Sequence, residues 1–363
     1  MAHEEQRIKN LLRLAAQQGA SDLHLGVGRH PIFRVDGKLY PLTEEEVLTP
    51  AVTAAMCDAV IAEEKKKIFE DEGQVDFSYN FEDKVRFRVN AFFQQGYVSL
   101  AFRLVSSEIR TLEELGMPEI LYDFTRVTQG LFLIVGPVGH GKSTTLAALI
   151  NEINHNQEKN IITIEDPIEY VYEQDRSIVS QREVYQDSKS FQLALRGVFR
   201  EDANVVLIGE LRDLDTISTA LTAAETGHLI FATLHTNDSP QTIDRIIDVF
   251  PAHQQNQVRS QLANVLLAVV SQRLIPKIDG GRIPAVEIMI KNHAVENLIR
   301  ENKSYQLDNV IETGSELGMI SLDKSMAGLV KSGVVSMEAA SPYAKDLKNF
   351  QALVKDDVWR QSH

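Results

Sequence analysis

Eight consecutive residues, Gly136-Pro137-Val138-Gly139-His140-Gly141-Lys142-Ser143, match the pattern GxxxxGK[ST] of a phosphate-binding loop, and Thr144 follows directly. The apolar run Leu131 to Val135 precedes the match and the helical pattern Ser143 to Ile153 follows it, which is the context the motif requires. In such a loop the glycines let the backbone curl until its N–H groups and the helix N-terminus face phosphate oxygens. Lys142 then neutralises the β and γ oxygens and the Ser143 hydroxyl ligates magnesium. The chemistry expected of Gly136 through Thr144 is therefore the binding of ATP with Mg2+. A bare glycine turn between strand and helix is the plainer reading of these residues.

Two further apolar runs end in carboxylates. Val205-Val206-Leu207-Ile208-Gly209-Glu210 places Glu210 where a P-loop ATPase needs an acid to orient magnesium and its waters, so Glu210 is expected to reach the metal through water. Thr163-Ile164-Glu165-Asp166-Pro167-Ile168-Glu169 must turn at Pro167, which leaves Glu165 and Asp166 at the carboxyl edge of a sheet. A carboxylate near the γ-phosphate can orient the attacking water and accept its proton, and that role of base falls to Glu165. Taken alone, the Glu210 segment reads equally as a strand-end charge, and the competing reading of Thr163 to Glu169 is a solvated turn. His228 and His235 bracket the run Leu229 to Leu234, beside Gly227, Thr233, Thr236 and Asn237. Both are candidate sensors of the γ-phosphate, and metal binding is disfavoured without a nearby third ligand.

A second constellation lies far upstream. Val85, Phe87 and Val89 alternate with Arg86 and Arg88, while Val98, Leu100, Phe102 and Leu104 alternate with Arg103. A hairpin centred on Gln94 to Tyr97 puts Arg88 directly opposite Arg103, and like charges so placed are unfavourable unless an anion compensates them. A phosphate would. Arg88 and Arg103 are thus expected to complete an ATP site from a different domain or subunit, as arginine fingers do. The competing reading is a solvated basic face.

These residues need elements to position them. Ile8, Leu11, Leu12 and Ala15 recur at helical spacing between Glu5 and Gln18, and Gly19 stops the helix. Ile32 to Val35 and Lys38 to Leu42 flank Asp36-Gly37, a tight hairpin turn. Ala51 to Phe69 reads as helix and Val75 to Leu104 as strands, so the first hundred or so residues are α+β. The aperiodic stretch Val105 to Arg110 marks a boundary before a helical Leu112 to Phe124. Apolar strands at Leu131 to Val135, Ile161 to Ile164, Val205 to Ile208 and Leu229 to Leu234 then alternate with helices, the layout of a parallel sheet. Beyond about residue 292 only helices are expected.

The chain has 363 residues and 44% hydrophobic and 24% charged residues, the composition of a globular protein of about two domains. A net charge of -14 argues against a sequence-independent grip on nucleic acid. One cysteine, Cys57, excludes an internal disulfide and any CxxC pair of zinc ligands, which fits a reducing cytoplasm. Met1 to Ala20 carries Arg7, Lys9 and Arg13 and no long apolar run, so the chain is expected to stay in the compartment where it is made.

With these motifs in place, the sequence resembles the secretion-type hexameric ATPases, and within them the PilT family of type IV pilus retraction ATPases. Gly19-Ala20-Ser21-Asp22-Leu23-His24-Leu25 resembles that family's N-terminal signature. Thr163 to Glu169 looks like its Asp box, Gly209-Glu210-Leu211-Arg212-Asp213 its Walker B region, and Glu225 to His228 through Leu234 to Thr236 its His box. The resemblance implies an α/β chain: a PAS-like α+β domain over 1–105, a linker over 106–112, a RecA-like ATPase core over 113–291 and a C-terminal helical region over 292–363. It implies six copies in a ring, nucleotide between the two domains, Glu165 as base, Glu210 supporting Mg2+, and Arg88 and Arg103 reaching the phosphates. It further implies work on an inner-membrane platform protein from the cytoplasmic face, alongside a paralogous retraction ATPase, with no nucleic acid. Ala294-Val295-Glu296-Asn297-Leu298-Ile299-Arg300-Glu301 is similar to the family's AIRNLIRE motif, with Val295 and Glu296 for Ile and Arg, and favours PilT over the accessory paralogue PilU. His140 is a further departure, since that loop position usually carries a small residue. The alternatives are a PilU-like accessory motor, another type II or IV secretion ATPase, a non-hydrolysing scaffold, and a RecA-like helicase.

Overall fold

A computed structural model describes residues 2–35, 37–81, 85–105 and 108–356. The chain divides into two compact units, Met1–Glu108 with Glu169–Val171, and Ile109–Ile168 with Tyr172–His363. The division after Glu108 falls inside the stretch read as a linker, of which Ser106 and Ser107 lie outside the described residues. Glu169–Val171, read as part of the second domain, groups with the first.

The first unit contains α1 (Ala2–Gln17), β1 (Asp22–Leu25), β2 (Ile32–Val35), β3 (Lys38–Pro41), α2 (Pro50–Val60), α3 (Glu63–Glu72), β4 (Gln74–Phe81), β5 (Val85–Gln94) and β6 (Tyr97–Val105). Its strands form one six-stranded antiparallel sheet in the order β3-β2-β1-β6-β5-β4. Ile8, Leu11 and Leu12 of α1 pack with Phe33, Phe87 and Phe102 in its core. Val35 pairs with Lys38 across the first hairpin, whose expected turn residue Asp36 lies outside the described residues. The single helix expected over Ala51 to Phe69 is two helices. Ile61 leaves α2 in extended conformation and is buried in the core, and Glu63 and Glu64 then start α3 where carboxylates favour a helix N-terminus.

The second unit begins with a correction too, because Leu112 to Phe124 is not an α-helix. Thr111 and Glu114 exchange backbone and side-chain hydrogen bonds at 2.8 and 3.2 Å as in a capping box, but Gly116 at φ +70° and Pro118 end the turn. A 3-10 helix over Glu119–Thr125 follows. Then come β7 (Gly130–Val135), α4 (Lys142–Asn156), β8 (Asn160–Glu165), β9 (Ile178–Glu183), α5 (Phe191–Val198), β10 (Val205–Ile208), α6 (Leu214–Glu225), β11 (Leu229–Leu234), α7 (Ser239–Asp248), α8 (Ala252–Val265), β12 (Leu266–Pro276) and β13 (Arg282–Ile290). The sheet order is β13-β12-β7-β11-β10-β8-β9, parallel except for the edge strand β13. Every residue of β7, β10 and β11 is buried, as strands covered on both faces must be. Of this sheet, β9, β12 and β13 were not among the strands expected.

The C-terminal region holds α9 (His293–Arg300), α10 (Leu307–Thr313), α11 (Leu322–Lys331), α12 (Met337–Ala340) and α13 (Leu347–Lys355) with short 3-10 turns and one isolated bridge, Ile288 to Ile320. Leu322, Met326 and Phe350 pack there against Ile275 of β12 and Ala285 of the edge strand β13.

Candidate active site

Strand β7 ends at Val135 in the middle of the parallel sheet, and the edge outside the carboxyl ends of such strands is where open α/β sheets bind ligands. The glycines of the loop are there for space as well as curl. Gly136 sits at φ +145°, and a Cβ on it would lie 2.5 Å from the Gln272 carbonyl oxygen of β12. Gly141, at φ +81°, would place a Cβ 2.9 Å from Gln272 Nε2. Helix α4 starts at Lys142, whose ammonium donates to the Gly136 and Pro137 carbonyls at 2.8 and 3.0 Å and lies 3.1 Å from His235 Nδ1. Ser143 and Thr144 occupy the first turn of α4, half-buried.

Strands β8 and β10 bring the two carboxylates to the same edge. Ile164 is the register partner of Ile208, so Glu165 and Gly209 follow side by side. A Cβ on Gly209 would be 3.3 Å from Glu165 Cα, so glycine permits the approach. Glu165 is buried and accepts from the Thr163 hydroxyl at 2.6 Å and from Gln181 Nε2 at 3.4 Å. Glu210 accepts from Arg212 Nε at 2.7 Å and lies 3.3 Å from His235 Nε2. The hydrogen bond to Glu210 holds the Arg212 guanidinium above its ordinary range.

The two histidines part company. Parallel pairing of β11 with β7 runs from Leu229 beside Gly130 to Leu234 beside Val135, so His235 stands next to the loop. His228 precedes the strand at the amino edge, about 20 Å away at the usual rise per residue. There its Nδ1 lies 3.0 Å from the Ala223 carbonyl and its ring meets Phe199 edge-on at 5.6 Å. The reading of His228 as a sensor at this chain's own loop is thereby corrected. Bracketing a strand separates two residues by the strand's length.

The loop after His235 is built into the sheet's edge by partners the sequence did not flag, Ser271, Arg273 and Glu287. Asn237 accepts at its carbonyl from the Ser271 hydroxyl at 2.7 Å and from Arg273 Nη2 at 2.9 Å. Asp238 caps α7 by accepting from the Gln241 N–H, and Ser239 gives its N–H and hydroxyl to the buried Glu287 at 2.9 and 2.8 Å. Lys345 Nζ reaches the other Glu287 oxygen at 3.1 Å and Asp308 at 2.7 Å. On the loop's other side, Gln272 donates to the His140 carbonyl at 2.8 Å and accepts from the Thr145 hydroxyl at 2.9 Å. The sequence signal available was a polar run, Ser271-Gln272-Arg273, inside an apolar strand.

In the first unit, Arg88 and Arg103 are register partners, as the hairpin geometry required. The compensating anion is part of the chain, however: Asp22 of β1 pairs with Arg103 from the other side and accepts from its Nε at 3.0 Å. Asp22 is also the register partner of Arg34, 3.6 Å from its Nε. Arg34, Asp22, Arg103 and Arg88 therefore form one row across four strands, on one face. No ion pair to Arg88 occurs among the described residues. The inference from like charges to phosphate needs this amendment, because strand β1 supplies a carboxylate.

Comparison with known proteins gives a consistent answer. Residues 2–282 match the family model for type II/IV secretion system proteins. The chain is 48% identical over 343 residues to the type IV pilus retraction ATPase PilT of Pseudomonas aeruginosa, covering 94% of this chain and 99% of that one. It is 45% identical over 317 residues to a twitching motility protein of Neisseria gonorrhoeae, covering 87% and 84%. A crystal structure of the pilus retraction motor PilT with bound ADP superposes with a TM-score of 0.88 at 43% identity, covering 95% of this chain and 99% of that one.

Proposed function

As a member of the type II/IV secretion system protein family, this chain hydrolyses ATP, and we propose that it does so as the motor of type IV pilus retraction. The observation that carries hydrolysis is the convergence of Lys142, His235, Glu210 and Glu165 on one sheet edge, and the likeness to PilT over nearly the whole chain supports its assignment to retraction. The loop N–H groups and Lys142 receive the phosphates, and Glu165 takes a proton from the attacking water. The Ser143 hydroxyl and the Glu210 carboxylate are hard oxygen donors of the kind Mg2+ takes, Glu210 through water. When bound, the ion neutralises charge on the phosphate oxygens; the other ligands would be those oxygens and water.

The first unit reads as a PAS-like domain and the second as RecA-like, supported by the antiparallel and parallel sheets respectively. In a ring of six, Arg88 and Arg103 of one copy would serve a nucleotide through their guanidinium groups, exchanging Asp22 for phosphate as the partner of Arg103. Rotation of the units during turnover would then act on an inner-membrane platform protein. Among the described residues no helix is long and apolar enough to cross a membrane, so attachment at the cytoplasmic face would go through that protein, shared with a paralogous retraction ATPase.

Two measurements test this. Glu165→Gln is expected to bind ATP normally and hydrolyse it about 10²-fold more slowly or worse. Deletion in the source organism is expected to abolish twitching while surface pili persist; loss of the pili themselves would make the chain an extension motor.

A further inference from the structure

His140 occupies the fifth position of the phosphate-binding loop, where the side chain would be expected to face the ligand or be absent. It does neither. Its Nδ1 accepts the backbone N–H of Leu274 at 2.9 Å, beyond the point where β12 last pairs with β7. Its carbonyl accepts from Gln272 at 2.8 Å, so backbone and side chain are tied to two residues of one strand, Gln272 and Leu274, with Arg273 between them. Its ring also meets Tyr343 edge-on, centroids 6.3 Å apart. Because Leu274 N–H is a donor only, the imidazole must be neutral with its proton on Nε2.

We propose that His140 is a positioning residue of the ATP site: its neutral imidazole moors the loop to the edge of β12 and so holds the loop's N–H groups in the curl that receives phosphate. The proposal rests on reading Gly136 to Ser143 as an ATP-binding loop. Gln272 fastens the loop's carbonyl and the Thr145 hydroxyl, and the imidazole ties a side chain of the loop itself to the strand backbone. A small residue at this position could not span that distance.

The surroundings favour the neutral form. Arg273 of β12, Arg282 of β13 and Lys142 of α4 are the charged groups facing the ring, all cationic, and Tyr343 faces it from the C-terminal region. Burial first, then these three cations, hold the imidazole below its ordinary range. Protonation would set two donors, Nδ1–H and Leu274 N–H, against each other, and the mooring would release.

The test uses the full chain with a fluorescent ATP analogue and steady-state hydrolysis. His140→Leu keeps bulk and loses the acceptor; His140→Asn keeps an acceptor oxygen near the Nδ1 position and does not titrate. The leucine variant is expected to weaken analogue binding and raise KM by about tenfold with kcat within about threefold. The asparagine variant is expected to stay within about threefold of the parent on both. As pH falls below about 6.5, the ordinary imidazole value, the parent should lose affinity, and the asparagine variant should not. Parent-like binding by the leucine variant, or an acid loss unchanged in the asparagine variant, would overturn the proposal. Failure of the parent itself to bind the analogue would instead overturn the ATP-site reading beneath it.

Discussion

Lys142 Nζ lies 3.1 Å from His235 Nδ1, and His235 Nε2 lies 3.3 Å from Glu210 Oε1. An ammonium can only donate, so Nδ1 accepts and the ring's proton is on Nε2, directed at Glu210. One imidazole thus spans the loop's cation and the strand-end carboxylate. His235→Ala should leave both charged groups in place but unaligned, lowering kcat by about 10²-fold with a much smaller change in KM. Steady-state ATPase measurements decide; an unchanged kcat would remove His235 from the chemistry.

Two glycines of the same loop separate strain from collision. Gly136→Ala drives a Cβ to 2.5 Å from the Gln272 carbonyl, whereas Gly139→Ala, at φ +79°, meets nothing within 4 Å. The first should cost about 2 kcal/mol or more and lower the melting temperature by about 4–8 °C, the second about 1 kcal/mol. Calorimetry on both variants should give that order; equal losses would mean that backbone conformation alone governs both positions.

The loop, both carboxylates and the strands leading into them were legible because each joins a periodic apolar run to a residue type with few other uses. What was not legible follows from three-dimensional adjacency. His228 and His235 looked alike in sequence, and only the parallel pairing of β11 with β7 sends them to opposite edges. Asp22 looked like part of a signature, and only its place between Arg34 and Arg103 makes it their counterion. Ser271 to Leu274 carried no motif because hydrogen bonds to another loop's backbone demand no fixed spacing. The break at Ile61 was hidden by good helix formers on both sides, where core packing outweighs propensity.

Lys345 ties the C-terminal region to a buried carboxylate. Burial pulls its ammonium down, but Glu287, Asp308 and Asp238 outweigh that and hold it well above the usual lysine range. Lys345→Met leaves Glu287 with the Ser239 donors alone, which should cost about 3 kcal/mol. A raised folded-state value means the contribution is complete below the unfolded lysine value of about 10.4 and is lost as pH rises through the folded one. Denaturant melts of parent and variant should therefore converge only in strong alkali; a gap that closes near neutrality would refute the pairing.

Cys57 is a core residue of the first unit, and burial pushes its thiol up to about 11. The thiolate is the reactive form. Alkylation at about pH 8 should be slow in the folded chain and fast in denaturant, as mass spectrometry can time; rapid labelling of folded protein would show that this core opens.

The row Arg34-Asp22-Arg103-Arg88 also carries little surplus charge for its length. Three guanidinium groups less one carboxylate leave about two net charges, and the hold on a polyanion grows with the number of phosphates neutralised. By that rule, two surplus charges in one row offer a chain of phosphates in series little to hold. A single triphosphate carries its charge in one place and suffers no such dilution. By offsetting its neighbours, Asp22 lowers the surplus positive charge that Arg34 and Arg103 present at the surface.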